Sequence, residues 1–550
     1  MDNVIPMHKS PRSGPKSVLL SLLVTVIVAA IYYYVQLPAL NIKSPELYFF
    51  LVFLLVVYVV ALAIFSGGRL RDDPKGFALF LKGHCKVPLV ILALIIVVVA
   101  IGALSSALIF RAGDYSELLT PANSDFTTDV NQISYDQIPM LDKDSADRLG
   151  DRKLGELSDM VSQFEVSDAY TQINYNDQPV RVTYLEYADF FKWLSNRSDG
   201  LPAYIYIDMV TQEVDVVRLA EGMKYSPAEY FNRYLLRHLR FQYPTLMFEE
   251  CTLEIDEQGH PWWICSVVDR TIGLFGGEDI IGAVLVDAVT GESSYLPIDE
   301  IPTWVDRVYS ANLVIRQYNW HGMYQGGFWN SLFGQKNCTM TTEGYNYIAL
   351  EDDVWLYTGV TSVTSDASNI GFILVNQRTK EARYYPVAGA TEQSAQSSAV
   401  GVVQHLKYKA TFPLLLNISN EPTYFIALKD DASLVKMYAM VNVRQYQIVA
   451  TGSSVAECEQ NYIELLRQNG IAAESSVIAP TAATVSGEVT DLRSAVISGT
   501  TYYYVEIDGC YYRVSAADSE AIVLTDIGDE LTLALTGDVD AAIPTAILQN

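Results

Sequence analysis

Charge is scarce in this chain, and in three places it is missing altogether. Of 550 residues, 18% are charged, against roughly 25% in ordinary soluble domains. Residues 18–35, 47–65 and 87–110 contain no Asp, Glu, Lys or Arg over 18, 19 and 24 positions. About 17–25 apolar residues cross a bilayer as a helix. A buried core helix normally keeps a polar stripe, and these runs show none. Three transmembrane helices are therefore expected. The first run follows Lys9, Arg12 and Lys16, as a secretory signal would. It is longer than the roughly 7–15-residue apolar region of a signal, however, and no small-x-small cleavage site follows. We expect it to be retained, with Tyr32, Tyr33 and Tyr34 forming an interfacial belt.

Cysteine and histidine are equally thin, six of each. Five cysteines (Cys251, Cys265, Cys338, Cys458 and Cys510) lie beyond the apolar runs, widely spaced and without a CxxC. That pattern is neither a disulfide framework nor a zinc site. HExxH, GxSxG, the GxxxxGK[ST] loop and the EF-hand loop are absent. Ser433 and Lys436 match SxxK, but no KTG accompanies them. His238, His260, His321 and His405 are scattered, and structural use fits them best. No metal site and no cofactor are expected.

Basic residues are distributed unevenly. Arg69, Arg71, Lys75, Lys82 and Lys86 fill the loop between the second and third runs, whereas Lys43 alone lies between the first and second. The positive-inside rule places the N-terminus and the basic loop in the cytoplasm and residues 113–550 outside, in a multi-pass protein of the cell membrane. Residues 1–112 hold ten of the 37 basic and four of the 64 acidic residues, leaving 27 basic against 60 acidic beyond them, a net charge of −33. Such a surface repels nucleic acid. It suits solubility beside a membrane or a basic partner.

A repeat runs through the remainder. Asp208-x-x-Thr211-x-Glu213, Asp287-x-x-Thr290-Gly291-Glu292 and Asn376-x-x-Thr379-x-Glu381 are spaced 79 and 89 residues apart, each after an apolar run. Asp or Asn ending a strand accepts bonds from the backbone ahead, and Gly supplies φ > 0, so each reads as a β-hairpin turn. A second repeat joins Ile348–Asp353 to Ile426–Asp431, and the segment from Cys251 to Cys265 reads as a related hairpin centred on Gln258. Cys251 and Cys265 should face each other there and are a disulfide candidate. Ser226 and Glu229, with Pro227 between, read as a capping box opening a helix to about Arg240, and Ser454 with Glu457 as another, in a helix ended by Gly470. A further helical stretch is expected over residues 145–164.

The expected architecture is α+β: a membrane domain (1–112), a juxtamembrane stalk (113–165), tandem α+β repeats with antiparallel sheets (166–475), a linker (476–484) and a small all-β domain of OB-like barrel type (485–550). Its strands are expected at 484–490, 501–507, 511–514, 522–525 and 530–535. The Asp287–Glu292 turn, with its full Thr-Gly-Glu, resembles the PepSY family; the other two copies carry Gln212 and Lys380 in place of the glycine. That resemblance implies small extracytoplasmic α+β modules, found in metallopeptidase propeptides and in membrane-anchored envelope regulators.

Two features are candidate sites. The acidic pairs Asp352–Asp353 and Asp430–Asp431 read either as solvated turns or as oxygen ligands for Ca²⁺. The stretch carrying Trp320, Tyr324, Phe328 and Trp329 reads either as packing between repeats or as an exposed platform for a partner. The favoured function is a non-enzymatic scaffold or regulatory binding protein of the cell envelope. Its partners would be the bilayer and another envelope protein, with oligomeric state open. The alternatives are a hydrolase whose carboxylates, such as Asp352 and Asp430, are assembled by the fold, and a PepSY-like peptidase inhibitor or sensor.

Overall fold

The computed structural model describes residues 15–65, 85–132, 138–364, 368–471, 484–497, 500–516, 519–536 and 543–548. Lys9, Arg12, Arg69, Arg71, Lys75 and Lys82, and all of the linker but its last residue, lie outside these. Among the described residues, three helices are long and apolar enough to cross a membrane: α1 (Pro15–Gln36), α2 (Pro45–Phe65) and α3 (Lys86–Ser105). Tyr32 stacks on Phe50 at 5.1 Å, joining α1 to α2. The third run is not one helix to residue 110. It breaks after Ser105 and resumes as α4 (Leu108–Ser116). The Ser106 hydroxyl donates to Gly102 O at 2.8 Å and accepts from Phe275 N at 2.9 Å. A Cβ at Gly102 would meet the Phe275 ring at 2.5 Å. The missing side chain is what lets a hairpin tip seat against the helix.

Beyond the membrane helices the protein is α+β, and its repeat unit is a four-stranded antiparallel meander that occurs four times. The first contains β1 (Thr171–Tyr175), β2 (Gln178–Tyr187), β3 (Leu201–Asp208) and β4 (Val214–Met223). The second contains β5 (Met247–Ile255), β6 (Pro261–Ile272), β7 (Gly276–Asp287) and β8 (Ser293–Pro297). The third contains β9 (Asn346–Leu350), β10 (Asp353–Ser362), β11 (Gly371–Asn376) and β12 (Ala382–Tyr385). The fourth contains β13 (Leu414–Ile418), β14 (Glu421–Lys429), β15 (Val435–Asn442) and β16 (Val449–Gly452). A helix precedes each: α5 (Lys143–Gly155), then, after the short α6 (Phe190–Asn196) inside the first module, α7 (Leu235–Gln242), α8 (Ala311–Tyr324) and α9 (Glu392–Val402). A final helix, α10 (Val455–Gln468), follows the last strand.

The recurring Asp/Asn-x-x-Thr-x-Glu segments are one turn built three times. Asp208 Oδ1 accepts from the amides of Val210 and Thr211 at 2.7 and 2.8 Å. Asp287 Oδ1 accepts from Val289 and Thr290 at 2.8 and 3.0 Å, and Asn376 Oδ1 from Arg378 and Thr379, both at 2.9 Å. Each Thr hydroxyl then accepts from the Glu amide. The residue between Thr and Glu has positive φ in all three: Gln212 (61°), Gly291 (77°) and Lys380 (67°). The fourth module closes by a related turn one residue longer, with Asn442 N donating to Ile448 O.

The first turn of the meander recurs in the first, third and fourth modules. Asn176–Asp177, Glu351–Asp352 and Ser419–Asn420 all have both φ values positive, as a tight hairpin connection between twisted strands requires. The second sequence repeat is thereby out of structural register. Ile348 lies on β9, the first strand of its module, whereas Ile426 lies on β14, a second strand. Asp352–Asp353 enters a second strand and Asp430–Asp431 leaves one. Short sequences that differ only at Glu351 and Lys429 landed in different strands because each is merely a three-residue apolar run before a turn.

Packing between modules explains the short continuous apolar runs. Trp263, Cys265 and Val267 on one face of β6 join a core with Val180, Val182 and Ile205 of the first module. Ile264, on the opposite face, joins α8 and the third module's Leu356, Val360 and Ile373. A sheet covered on both faces needs apolar residues at consecutive positions rather than alternate ones.

Three local expectations change. The helix expected from Ser226 begins only at Leu235, because Glu229 does not cap backbone: its buried carboxylate accepts from the Tyr187 hydroxyl and Trp193 Nε1, both at 2.7 Å. The helix expected over 145–164 runs instead from Lys143, capped by Asp142, to Gly155. Of the expected stalk, the described residues 113–132 and 138–165 pack into the fold, with Leu119, Phe126, Val130, Ile138 and Leu141 buried and Ala122–Asn123 adding a parallel strand beside β12. The Ser454 cap is as expected, accepting from Glu457 N at 3.2 Å, while Glu457 Oε2 accepts from Ser453 N at 2.6 Å.

Residues 470–550 form a separate unit. It is a closed five-stranded barrel of β17 (Thr484–Ile497), β18 (Thr500–Ile507), β19 (Cys510–Ser515), β20 (Glu530–Thr536) and β21 (Thr545–Leu548). The order β17-β18-β19-β21-β20, with β19 and β21 parallel, is the OB-type closure. The strand expected over 522–525 is part of a 3₁₀ turn, Glu520–Leu524, and β21 takes its place in the barrel.

Candidate functional site

The sequence candidates disperse. Asp353 is buried and paired with Arg378, whose Nε and Nη2 each donate at 2.7 Å, and Asn376 Nδ2 donates to it as well. Asp352 accepts from Asn174 Nδ2 at 3.0 Å. Asp430 Oδ1 accepts from Leu434 N, closing its own turn, and lies 3.6 Å from Lys436 Nζ. The Asp431 side chain is 83% exposed, 3.3 Å from Lys409. No group of three His, Cys, Asp or Glu placed to hold a metal ion occurs among the described residues.

The aromatic stretch divides. Trp320 packs edge-on against Tyr115 at 4.8 Å, and Tyr324 and Phe328 are half-buried. Trp329 is 61% exposed and stacks on the exposed Phe333. Cys251 and Cys265 are register partners across β5 and β6, both as free thiols.

What the fold does bring together is a cavity of about 720 Å³ to which all four modules contribute. Strand β14 presents Phe425, Ala427 and Lys429 to it at alternate positions, one face of a pleated strand. Arg181 enters from β2, Tyr347 from β9, Glu250 from β5, and Arg307 from the segment between β8 and α8. Asp142, the N-cap of α5, completes one wall and receives Lys429 Nζ at 2.5 and 2.6 Å. Burial pushes the Asp142 carboxyl up, but the Lys429 and Ser145 hydrogen bonds hold it below its ordinary value.

The two arginines are under-satisfied. Arg181 is 8% exposed, yet its guanidinium donates through Nη2 to Gln172 Oε1 at a long 3.4 Å, and its Nε has no partner among the described residues. Burial lowers its pKa, as does the neighbouring Arg307, while the charge of Asp142 opposes. Arg307 lies over the Tyr347 ring at 4.8 Å, 4.0 Å from Glu250, and its Nε is likewise unpartnered. A buried guanidinium without its own anion is costly. Arg307 has Glu250 and Glu254 for counter-charge, which hold its pKa up despite burial; Arg181, with Tyr347, Phe412 and Phe425 in the cavity walls, makes a receptacle for an anion carrying a flat apolar part.

A pair of buried acids lies behind Arg307. Glu254 accepts from the amides of Asp306 and Arg307 at 2.8 and 2.9 Å, and Asp306 accepts from Asn174 N at 2.6 Å. Burial pushes Glu254 up to about 7, and burial beside Glu254 raises Asp306 well above the carboxylate range.

Sequence reasoning passed over Arg181 and Lys429. The available signal was a charge inside an otherwise apolar strand, Val180-Arg181-Val182. Strict alternation reads such a charge as solvent-facing, and only the meeting of modules buries it. No protein-family model matches the chain, and no curated protein matches it.

Proposed function

We propose that the protein is a membrane-anchored, extracytoplasmic binding protein that holds a small anionic ligand at the junction of its four modules and acts as a regulator or sensor rather than an enzyme. The observation that carries this is the buried Arg181, with no carboxylate in hydrogen-bond contact and its Nε unpartnered among the described residues, lining a cavity walled by every module. A ligand there touches all four at once, so its binding is coupled to their arrangement. Asp352 and Asp430, the carboxylates a hydrolase would bring together, are engaged by Asn174 and by a turn and Lys436. The PepSY-like turn accords with a regulatory module outside the membrane, and the basic 66–86 loop supports the cytoplasmic side for the N-terminus.

The test uses the full-length protein in detergent with phenyl phosphate as probe and inorganic phosphate for comparison. Saturable binding of phenyl phosphate that weakens tenfold or more in Arg181→Gln is expected. No anion binding, or equal binding by the variant, would sink the proposal. Orientation is read separately. In a background without reactive thiols, a cysteine at Lys75 should resist an impermeant thiol reagent in intact cells and one at Asp125 should react; the reverse pattern refutes the extracytoplasmic placement.

A further inference from the structure

The C-terminal end of α1 is clamped by α7 and the turn before it, which link the first and second modules. The Tyr33 hydroxyl donates to Arg240 O at 3.3 Å, and the Tyr34 hydroxyl to Asn232 Oδ1 at 3.3 Å. Arg237 Nε donates to Tyr34 O and Arg240 Nε to Leu37 O, both at 2.9 Å. The segment from Phe231 through α7 is therefore fixed at the level where the membrane helix ends. α6 joins it through an aromatic cluster, with Phe190 against Tyr230 at 5.3 Å and Trp193 against Phe231 at 5.6 Å.

Two properties set this surface apart. It exposes large apolar side chains: Phe191 is 74%, Phe231 57% and Phe241 56% exposed. Phe231 is held at φ 53°, a conformation that costs a bulky residue energy and is sustained only where its placement matters. The surface is also basic. Residues 190–197 and 230–242 contain five Lys or Arg and no Asp or Glu, within a region where acidic residues outnumber basic ones about two to one. Aromatic side chains with Arg and Lys beside them, at the end of a transmembrane helix, are the composition of a membrane interface.

We infer that the face formed by α6, the Phe231–Arg233 turn and α7 lies on the bilayer leaflet at which α1 ends, with Phe191, Phe231 and Phe241 inserted at the headgroup–acyl boundary and Lys192, Arg197 and Arg233 meeting lipid phosphates. This rests on α1 spanning the bilayer and is independent of the anion cavity. Contact with the leaflet fixes the first module's orientation to the membrane, beyond what three helices and their loops impose.

The test places an environment-sensitive fluorophore at Phe191→Cys, and for comparison at Asp431→Cys, in full-length protein carrying Cys251→Ser and Cys510→Ser, reconstituted in nanodiscs. Phospholipids brominated near the top of the acyl chain should quench the Phe191→Cys label at least twofold more than the Asp431→Cys label. Equal quenching at both positions overturns the inference, whether water, a second copy or another protein covers the patch. The headgroup contact has its own readout. The wild type should melt several degrees higher in equimolar phosphatidylglycerol–phosphatidylcholine than in phosphatidylcholine alone, and Lys192→Gln/Arg197→Gln should lose that difference. A wild type indifferent to lipid charge removes the phosphate contacts.

Discussion

Cys251 and Cys265 occupy directly paired positions on β5 and β6, Cys265 fully buried against the core shared by the first two modules and Cys251 at its margin. Paired antiparallel positions bring Cα atoms within the roughly 4.4–6.8 Å that a disulfide spans. Burial and the neighbouring Cys251 thiol raise the Cys265 pKa well above its ordinary value, so little thiolate forms and oxidation is slow. A thiol oxidant should close the pair over hours, giving a cross-linked 251–265 peptide in non-reducing mass spectrometry. Free thiols at both positions after prolonged oxidation would mean the hairpin register is wrong.

The two acidic pairs should respond differently to substitution. Asp353 is buried in a bidentate pair with Arg378, and removing one partner strands the other. Arg378→Met should cost roughly 2–4 kcal/mol in denaturant unfolding. Asp431 is exposed beside Lys409, so Asp431→Asn should change stability by less than about 0.5 kcal/mol. Similar effects from the two would contradict the division.

Stability should fall as pH rises through neutrality. Burial raises the carboxyl pKa of Glu229, Glu249, Glu254, Asp306 and Glu392. A folded state that binds protons more tightly than the unfolded chain loses stability with increasing pH. For Glu254 the contribution is complete below its ordinary 4.5 and lost as pH passes about 7. Wild-type protein should be roughly 1–3 kcal/mol less stable at pH 8 than at pH 5, and Glu254→Gln should flatten that slope. A melting temperature that rises between those pH values would contradict the buried acids.

The recurring turn can be dissected at its second copy. Asp287→Ala removes the acceptor for Val289 and Thr290 N–H and the 3.1 Å contact with His260, and should cost about 1–2 kcal/mol. Gly291→Ala should cost at least as much, because φ is 77° and a Cβ would run into the Tyr225 ring. Glu292→Ala should be within about 0.5 kcal/mol of wild type, since this turn uses only the Glu292 amide and carbonyl. Chemical denaturation of the three variants ranks them.

What local chemistry governs could be read from the residues in order. Uncharged runs of helical length have one stable solvent, so the three apolar helices were legible. The Asp208, Asp287 and Asn376 turns were legible because their hydrogen bonds close within six residues and need no distant partner. Only packing reveals how many modules there are, since in the fourth the third strand, β15, ends at Asn442 in a longer turn without the Thr and Glu. It decided that Glu229 serves Tyr187 and Trp193 instead of a helix terminus, because a buried carboxylate binds whichever donors the packing leaves unsatisfied. The cavity follows the same logic. Arg181, Arg307, Tyr347 and Lys429 come from four separate stretches of chain, and no local pattern encodes a meeting that exists only after the sheets have packed.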